Sequence, residues 1–559
     1  MAIDLYISSS HSKIDYSNAT DEEINNSEKI LRTNFRAKDS SMARNPLVQR
    51  GIISDIVNFY IESHQLLPTG LIPMFRAFLR KANIEFKTHD IRKSIKHDEK
   101  FLSSDMKFGN LIPRYYQIDA VKEAVKYRNS ILQLPVGSGK TLIMAIIAKT
   151  YPNSKILILS DSIDLIAQTR NELINEFKLS ENEVGVIQGQ NFEDNKRITL
   201  LSIQSYEKAQ HIFPKINVII VDETHVCGRN PTGEKIIYSC QNASVKIGLT
   251  ATTEIDNPAE RMRMFANVGP IVYNSSIKEK IDEGFLSKVN VKMFRFNTSY
   301  HIPIEGTWGD IYDWIAINGN IGEKLLKNID SITDNDIKIK TLEELEEYLE
   351  ILKIKKNKNK SIEDELALKK EEKILDSIID KIGYVRDKRY NKPHIKKFVR
   401  NGDESNHYVF NDERNDKIVE IVKGRKRVVI LFERISHGKE LLKRIPTAML
   451  VEGSSSKQER ELAKKLIKDN ENQTVLASGI FAKGVNIPEI CTFVNAGGGK
   501  DTCRVIQKLG RSTRLAKNIN KTSAVVIDFY DEFTSIAKKQ SERRFNIYHD
   551  VLDLPVEII

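Results

Sequence analysis

The 559 residues exceed what one ordinary core accommodates, so two or three domains are expected. Charged residues at 29% and apolar residues at 40% suit a soluble globular protein, and no apolar run approaches the roughly 18–20 residues of a membrane span, which excludes a membrane partner. The net charge of +10 favours an acidic partner such as nucleic acid, although a solvated basic surface gives the same total.

The opening MAIDLYISSSHSK lacks the basic-then-apolar layout of a signal peptide. Cys227, Cys240, Cys491 and Cys503 form no CxxC pair, so they read as packing residues in a reduced, cytoplasmic setting. Residues 1–105 carry no recognisable chemistry. Their first 45 are polar and charged, segments 52–59 and 71–79 read as short amphipathic helices, and a small accessory domain is the expectation. From Tyr116 the character changes. Short β-branched runs at 131–134, 156–159, 198–202, 218–221 and 245–249, several separated by helical stretches, predict a parallel α/β sheet. The rhythm stops near Arg295. Residues 341–382 read as a helical hairpin, with Thr341 and Glu344 as a capping box and Ser361 capping the second helix; its lysines suit a solvated face or a phosphate-contacting arm. Strands return at 428–432, 474–477, 492–495 and 524–529.

The segment ILQLPVGSGKTLIMAII has the strand–loop–helix context of a phosphate-binding loop, at 134–141. Gly137 and Gly139, flanking Ser138, let backbone N–H groups close around an anion, and the helix starting near Lys140 points its positive end at the phosphates. Lys140 is expected to hold the β- and γ-phosphates of ATP and the Thr141 hydroxyl to ligate magnesium. Leu134 stands where the general pattern has its first glycine, and a bare GK[ST] is common by chance. A second element supports it: an apolar strand ends in Asp222-Glu223-Thr224-His225, placing carboxylates in the crevice where open α/β sheets bind nucleotides. Asp222 is then a magnesium ligand and Glu223 the group that polarises the attacking water. Two acids merely ending a strand is the bland alternative.

Further motifs follow in order from about Arg114 to Asp528: Arg114-Tyr115-Tyr116-Gln117, Thr250-Ala251-Thr252, ASGIFAKGVNIPEI and QKLGRSTR. Gln507, Arg511 and Arg514 recur at spacings of four and three, which predicts one helix face carrying two phosphate-forking guanidinium groups. An ordinary basic helix is the alternative. Together these residues resemble superfamily-two helicases of the DExH type. The resemblance implies two RecA-like motor domains, at 106–294 and 295–559, a helical insertion at about 303–405, and an accessory, DNA-binding domain at 1–105. It further implies that Arg114 and Gln117 read the adenine, that His225 joins the nucleotide set, and that Thr250-Ala251-Thr252 couples hydrolysis to nucleic-acid binding. Gln507, Arg511 and Arg514 would complete the catalytic group from the second domain.

Within the superfamily the chain is similar to the UvsW-type phage helicases and the XPB-like branch, through LPTGLIPMFRAFL at 67–79, Asp90-Ile91-Arg92, GPIVYNSSIKEKIDEGFLS at 269–287 and the Ala-Ser of ASGIFAKGVNIPEI. Thr224 and Asn486 are mild departures. By the same resemblance Gln168, Ser205, Ser478 and Gly479 are nucleic-acid contacts, made to the backbone because a motor must cross any sequence. Each also fits a turn or cap, and Phe432 fits the core. The expected activity is an ATP- and magnesium-dependent DNA helicase that remodels forks, junctions or D-loops in recombination, replication or repair. It would work as a monomer with possible recombination or replication partners, at the nucleoid of a bacterial or phage-infected cell. An RNA helicase and a double-strand translocase without strand separation are the alternatives.

Overall fold

The computed structural model describes residues 2–103, 105–297, 408–409, 411–479, 487–532 and 535–559. The helical pair expected at 341–382, with its insertion at 303–405, lies outside the described residues, as do positions 480–486 of ASGIFAKGVNIPEI.

The polar first 45 residues conceal three strands and a long helix. Ile3–Ile7 pairs antiparallel with His11–Asp15 and parallel with Phe86–Asp90, and Leu66–Pro68 completes a four-stranded sheet. The helix Asp21–Asn34 starts at a reciprocal capping box, in which Thr20 Oγ1 accepts the Glu23 N–H and the Glu23 carboxylate accepts the Thr20 N–H. The helix expected at 71–79 is present as Ile72–Lys81 and buries Ile72, Phe75 and Leu79. The helix expected at 52–59 is not. That stretch turns at Gly51 (φ +71°) and enters the strand Ile56–Asn58, paired antiparallel with Arg36–Lys38. Its β-branched residues (Ile52, Ile53, Ile56, Val57) resist a helix, and a neighbouring strand supplies main-chain partners.

Two parallel sheets of RecA-like character follow. The first has eight strands, in the order Asn191–Phe192, Val184–Gln188, Ile198–Ser202, Ile156–Ser160, Val218–Asp222, Val245–Thr250, Asn129–Gln133, Ile271–Asn274, parallel except at the Asn191–Phe192 edge. Apolar clusters cover both faces, which is why its strands read as continuous apolar runs. The second sheet has seven parallel strands, in the order Met449–Val451, Thr474–Ser478, Val428–Phe432, Thr492–Asn495, Ser523–Asp531, Lys288–Phe296, Val556–Ile558. Phe432 is a core residue at 1% exposed. The strand Lys288–Phe296 hydrogen-bonds along its whole length to Ser523–Asp531, so a boundary at 294/295 would cut it. We propose a division ahead of Lys288 instead.

The accessory unit packs on the helix Pro258–Val268. Ala266 belongs to its core, and a Cβ at Gly70 would fall 2.1 Å from the Phe265 carbonyl oxygen. Among the described residues no helix is long and apolar enough to cross a membrane. All four cysteines are free, and Cys227, Cys240 and Cys503 are buried.

Candidate active site

The phosphate-loop sequence folds as read. The strand Asn129–Gln133 leads into a loop whose glycines adopt left-handed backbone, Gly137 at φ +86° and Gly139 at φ +82°, and the helix Lys140–Thr150 begins directly after. A Cβ at Gly139 would meet Gln117 Nε2 at 2.4 Å. That contact reveals what Gln117 does here. Its Nε2 donates to Ser138 O at 2.7 Å, its Oε1 accepts the Arg114 N–H at 2.9 Å, and Tyr116 OH donates to the same Ser138 carbonyl at 2.9 Å. The amide braces the loop from behind. The Arg114 guanidinium donates to Tyr116 OH at 2.8 Å and lies 4.8 Å from the Phe285 ring centroid.

Across the crevice, Asp222 ends the strand Val218–Asp222, and Glu223 takes the left-handed region at φ +51°. A non-glycine residue held there stores about 1–3 kcal/mol, a strain that clusters at functional positions. Glu223 Oε1 accepts from Lys140 Nζ at 2.7 Å, and its Oε2 lies 3.6 Å from His225 Nδ1. Burial works against the Glu223 carboxylate, but Lys140, His225 and Gln507 outweigh it and hold the group below its usual range. Asp222 goes the other way, raised by burial and then by the neighbouring Glu223 charge. One ammonium group beside two half-buried carboxylates leaves room for another cation. Among the described residues no cluster of three or more His, Cys, Asp or Glu could hold a metal, so a magnesium ion at Asp222 and Thr141 would draw its other ligands from nucleotide and water.

Thr224 and His225 tie this segment to the Thr250-Ala251-Thr252 motif. His225 Nδ1 lies 3.4 Å from Thr250 Oγ1, and Thr224 Oγ1 donates to Leu249 O at 3.2 Å. Gly248 makes that fit possible, since a Cβ there would sit 2.3 Å from Thr224 Oγ1. Burial lowers the His225 imidazole, against the pull of Glu223, so the neutral ring is favoured.

The second half completes the site, though not on one helix face. The helix Thr502–Leu509 carries Gln507 and stops at Gly510; Arg511 and Arg514 lie in the turn beyond it. Past the helix end the Ser512 and Thr513 hydroxyls fold back onto the Leu509 and Gly510 carbonyls, and Gly510 fits because a Cβ there would fall 2.2 Å from Val136 Cβ of the phosphate loop. The turn presses on the loop: Thr513 Oγ1 donates to Val136 O at 3.3 Å, and Arg514 Cγ would lie 3.2 Å from a Cβ at Gly137. Arg511 is half-buried; desolvation and the adjacent Arg514 charge lower its guanidinium to about 9, against the pull of Glu223. Burial lowers Arg514 as well. Two crowded guanidinium groups beside the phosphate loop form a setting that a polyphosphate would relieve.

Ser205 follows the strand Ile198–Ser202 and Ser478 ends Thr474–Ser478, so both lie at the C-terminal edges of the sheets, whereas Gln168 sits farther along, in the second half of the helix Ile163–Asn171. Gln168 Nε2 is tied to Glu172 at 2.6 Å, and Ser205 and Ser478 are buried. Among the described residues, a Cβ at Gly479 would have only Glu433 Oε2 nearby, at 3.9 Å.

Two family models match the chain in order: the res subunit of type III restriction enzymes over residues 110–255, and the helicase conserved C-terminal domain over residues 409–516. The chain is 26% identical to the DNA 3'-5' translocase XPB2 of Sulfurisphaera tokodaii, over 77% of this chain and 87% of that protein. It is 23% identical to the ATP-dependent DNA helicase uvsW of Enterobacteria phage T4, over 93% of this chain and 89% of that protein. Among solved structures, that of T4 UvsW is 18% identical with a TM-score of 0.43, covering 100% of this chain and 99% of that one.

Proposed function

We propose that this chain, a superfamily-two DExH-type helicase with UvsW- and XPB-like relatives, burns ATP with magnesium to move along and remodel branched DNA. One observation carries the reading: Lys140 and Glu223 meet at 2.7 Å on one wall of a crevice, and the turn bearing Arg511 and Arg514 presses on the phosphate loop from the other half. Lys140 and the loop N–H groups would hold the phosphates, and Thr141 and Asp222 the magnesium that neutralises them. Glu223 orients the attacking water, with Gln507 beside it, and the arginines stabilise charge on the transferred phosphoryl group. Since these groups sit on two halves, hydrolysis depends on closure, and release of phosphate reopens the cleft.

Gln168, Ser205, Ser478 and Gly479 are proposed as backbone contacts, with the accessory domain engaging DNA beyond them. We assign the work to a monomer in the cytoplasm, in recombination, replication or repair. The test compares ATPase stimulation and strand separation on single strands, duplex, forks, four-way junctions and RNA. Selective stimulation by forks or junctions with unwinding is expected, and stimulation by RNA alone would overturn the assignment. A second reading, translocation on duplex without strand separation, draws on the relative that is described as a translocase; duplex-stimulated ATPase without unwinding of any substrate would select it.

A further inference from the structure

The turn that carries Arg511 and Arg514 has left its helix, and two side chains hold it instead: Lys521, outside every motif, and Ser287, the last residue of the 269–287 segment. Lys521 is 6% exposed, and its ammonium group donates to three main-chain carbonyls: Pro488 O at 2.8 Å, Ser512 O at 2.9 Å and Arg514 O at 3.0 Å. Ser287, fully buried where the chain enters the second sheet, donates its hydroxyl to Arg514 O at 2.9 Å and its backbone N–H to Thr513 O at 2.6 Å. Three carbonyls converging on one buried nitrogen match the three hydrogens of an ammonium group, whereas a guanidinium spreads its donors over a plane. The charge is held there at a cost. Burial lowers the Lys521 amine to about 8 and Arg514 adds to this, against the nearby Cys491 and Glu489.

We propose that Lys521, assisted by Ser287, is a positioning residue for the arginine motif, fixing the backbone of residues 512–514 so that both guanidinium groups enter the cleft in register with the phosphate loop. The same ammonium group joins that turn to Pro488, the approach to the strand Thr492–Asn495, so the turn and this approach move as one piece. Ser287 precedes the strand Lys288–Phe296, which makes the entry to the second sheet the other support of the turn. The inference rests on the reading of Arg511 and Arg514 as groups that act on the transferred phosphate. A residue that acts only through them should change turnover and leave nucleotide affinity nearly intact, because the arginines engage most strongly in the transition state.

The test is a kinetic double-mutant cycle in the full-length protein, with DNA-stimulated kcat, KM for ATP and thermal midpoint measured for K521M, S287A, R514A and K521M/R514A. K521M should lower kcat by about 10-fold or more with KM changed by less than about 2-fold, and S287A should lower it by about 3-fold in the same pattern. Because Lys521 works through the turn, K521M should add less than about 2-fold to the defect of R514A. Three results would overturn the proposal: wild-type kcat in K521M, losses that multiply in the double variant, or a rise in KM and a fall in thermal midpoint in step with the loss of kcat. Should K521M not fold, the same cycle with S287A decides, and multiplied losses or an unchanged kcat there would overturn the proposal too. If R514A itself turns over at the wild-type rate, the reading of the arginines fails rather than the role of Lys521.

Discussion

Glu223 is the residue on which the proposed chemistry turns. It occupies a strained left-handed position, and its carboxylate is locked to Lys140 at 2.7 Å while Asp222 beside it is kept from ionising easily. Glu223→Gln keeps the shape and removes the charge, so ATP should still bind while turnover falls about 10²–10⁴-fold; if equilibrium nucleotide binding failed first, Glu223 would be a structural group. Lys140→Ala removes the cation shared by both acids, and kcat should drop at least about 10²–10³-fold in a steady-state assay. Asp222 makes a prediction of opposite sign for stability. Its carboxyl is raised in the folded state, so folding favours the protonated form, and stability is lost as pH rises from its ordinary value through the raised one. Asp222→Asn should therefore raise the melting temperature of the nucleotide-free protein at neutral pH while abolishing hydrolysis. Lys140, Asp222 and Glu223 were legible because short contiguous signals carry them. The bracing by Gln117 was not, since its partner, the Ser138 carbonyl, is chosen by how the loop folds back on a helix before it.

At the scale of elements, the strands were the most legible part of the chain. Runs such as Val428–Phe432 and Ile198–Ser202 are apolar throughout because helices cover both faces of a parallel sheet. The end of the helix Thr502–Leu509 was not legible. Spacings of four and three suit a helix and a turn equally, and the close approach of Gly510 to Val136, a residue of the other half, leaves no local signal. Gly510→Ala should hold the halves apart by placing a methyl group against Val136, lowering DNA-stimulated kcat about 10-fold or more through misplacement of the arginines. A thermal midpoint close to wild type would accompany that loss, and normal turnover would show that the contact is not needed for closure. The segment 52–59 failed for a related reason. Its apolar spacing permits a helix, and only pairing with Arg36–Lys38 makes it a strand.

At the scale of the whole molecule, polar contacts join three units whose residues are far apart in sequence. Arg229 pairs with Asp501 at 3.0 Å, and Asp256 takes both Arg543 and Thr502 from the second half. One residue along, Asn257 bonds Asp39 of the accessory unit at 2.7 Å, and Arg263 reaches the same carboxylate at 3.0 Å. Burial opposes the ionised Asp39, but Ser41, Asn257 and Arg263 prevail and lower it to about 2. Its contribution to stability is thus present above the ordinary carboxylate range and lost as pH falls towards 2. Asp39→Asn should cost about 1–3 kcal/mol at pH 7, measured by denaturant unfolding, with the difference shrinking below pH 4. No local pattern announced this joint, because each partner reads alone as an ordinary surface charge.

The claim at the centre is that ATP turnover moves one half against the other on DNA. Single-molecule energy transfer between dyes on the two halves, followed on a fork during turnover, tests it most directly. The distance should shorten on ATP binding, lengthen with each hydrolysis event, and stay short in Glu223→Gln. Unwinding that proceeds at a constant distance between the halves would contradict it.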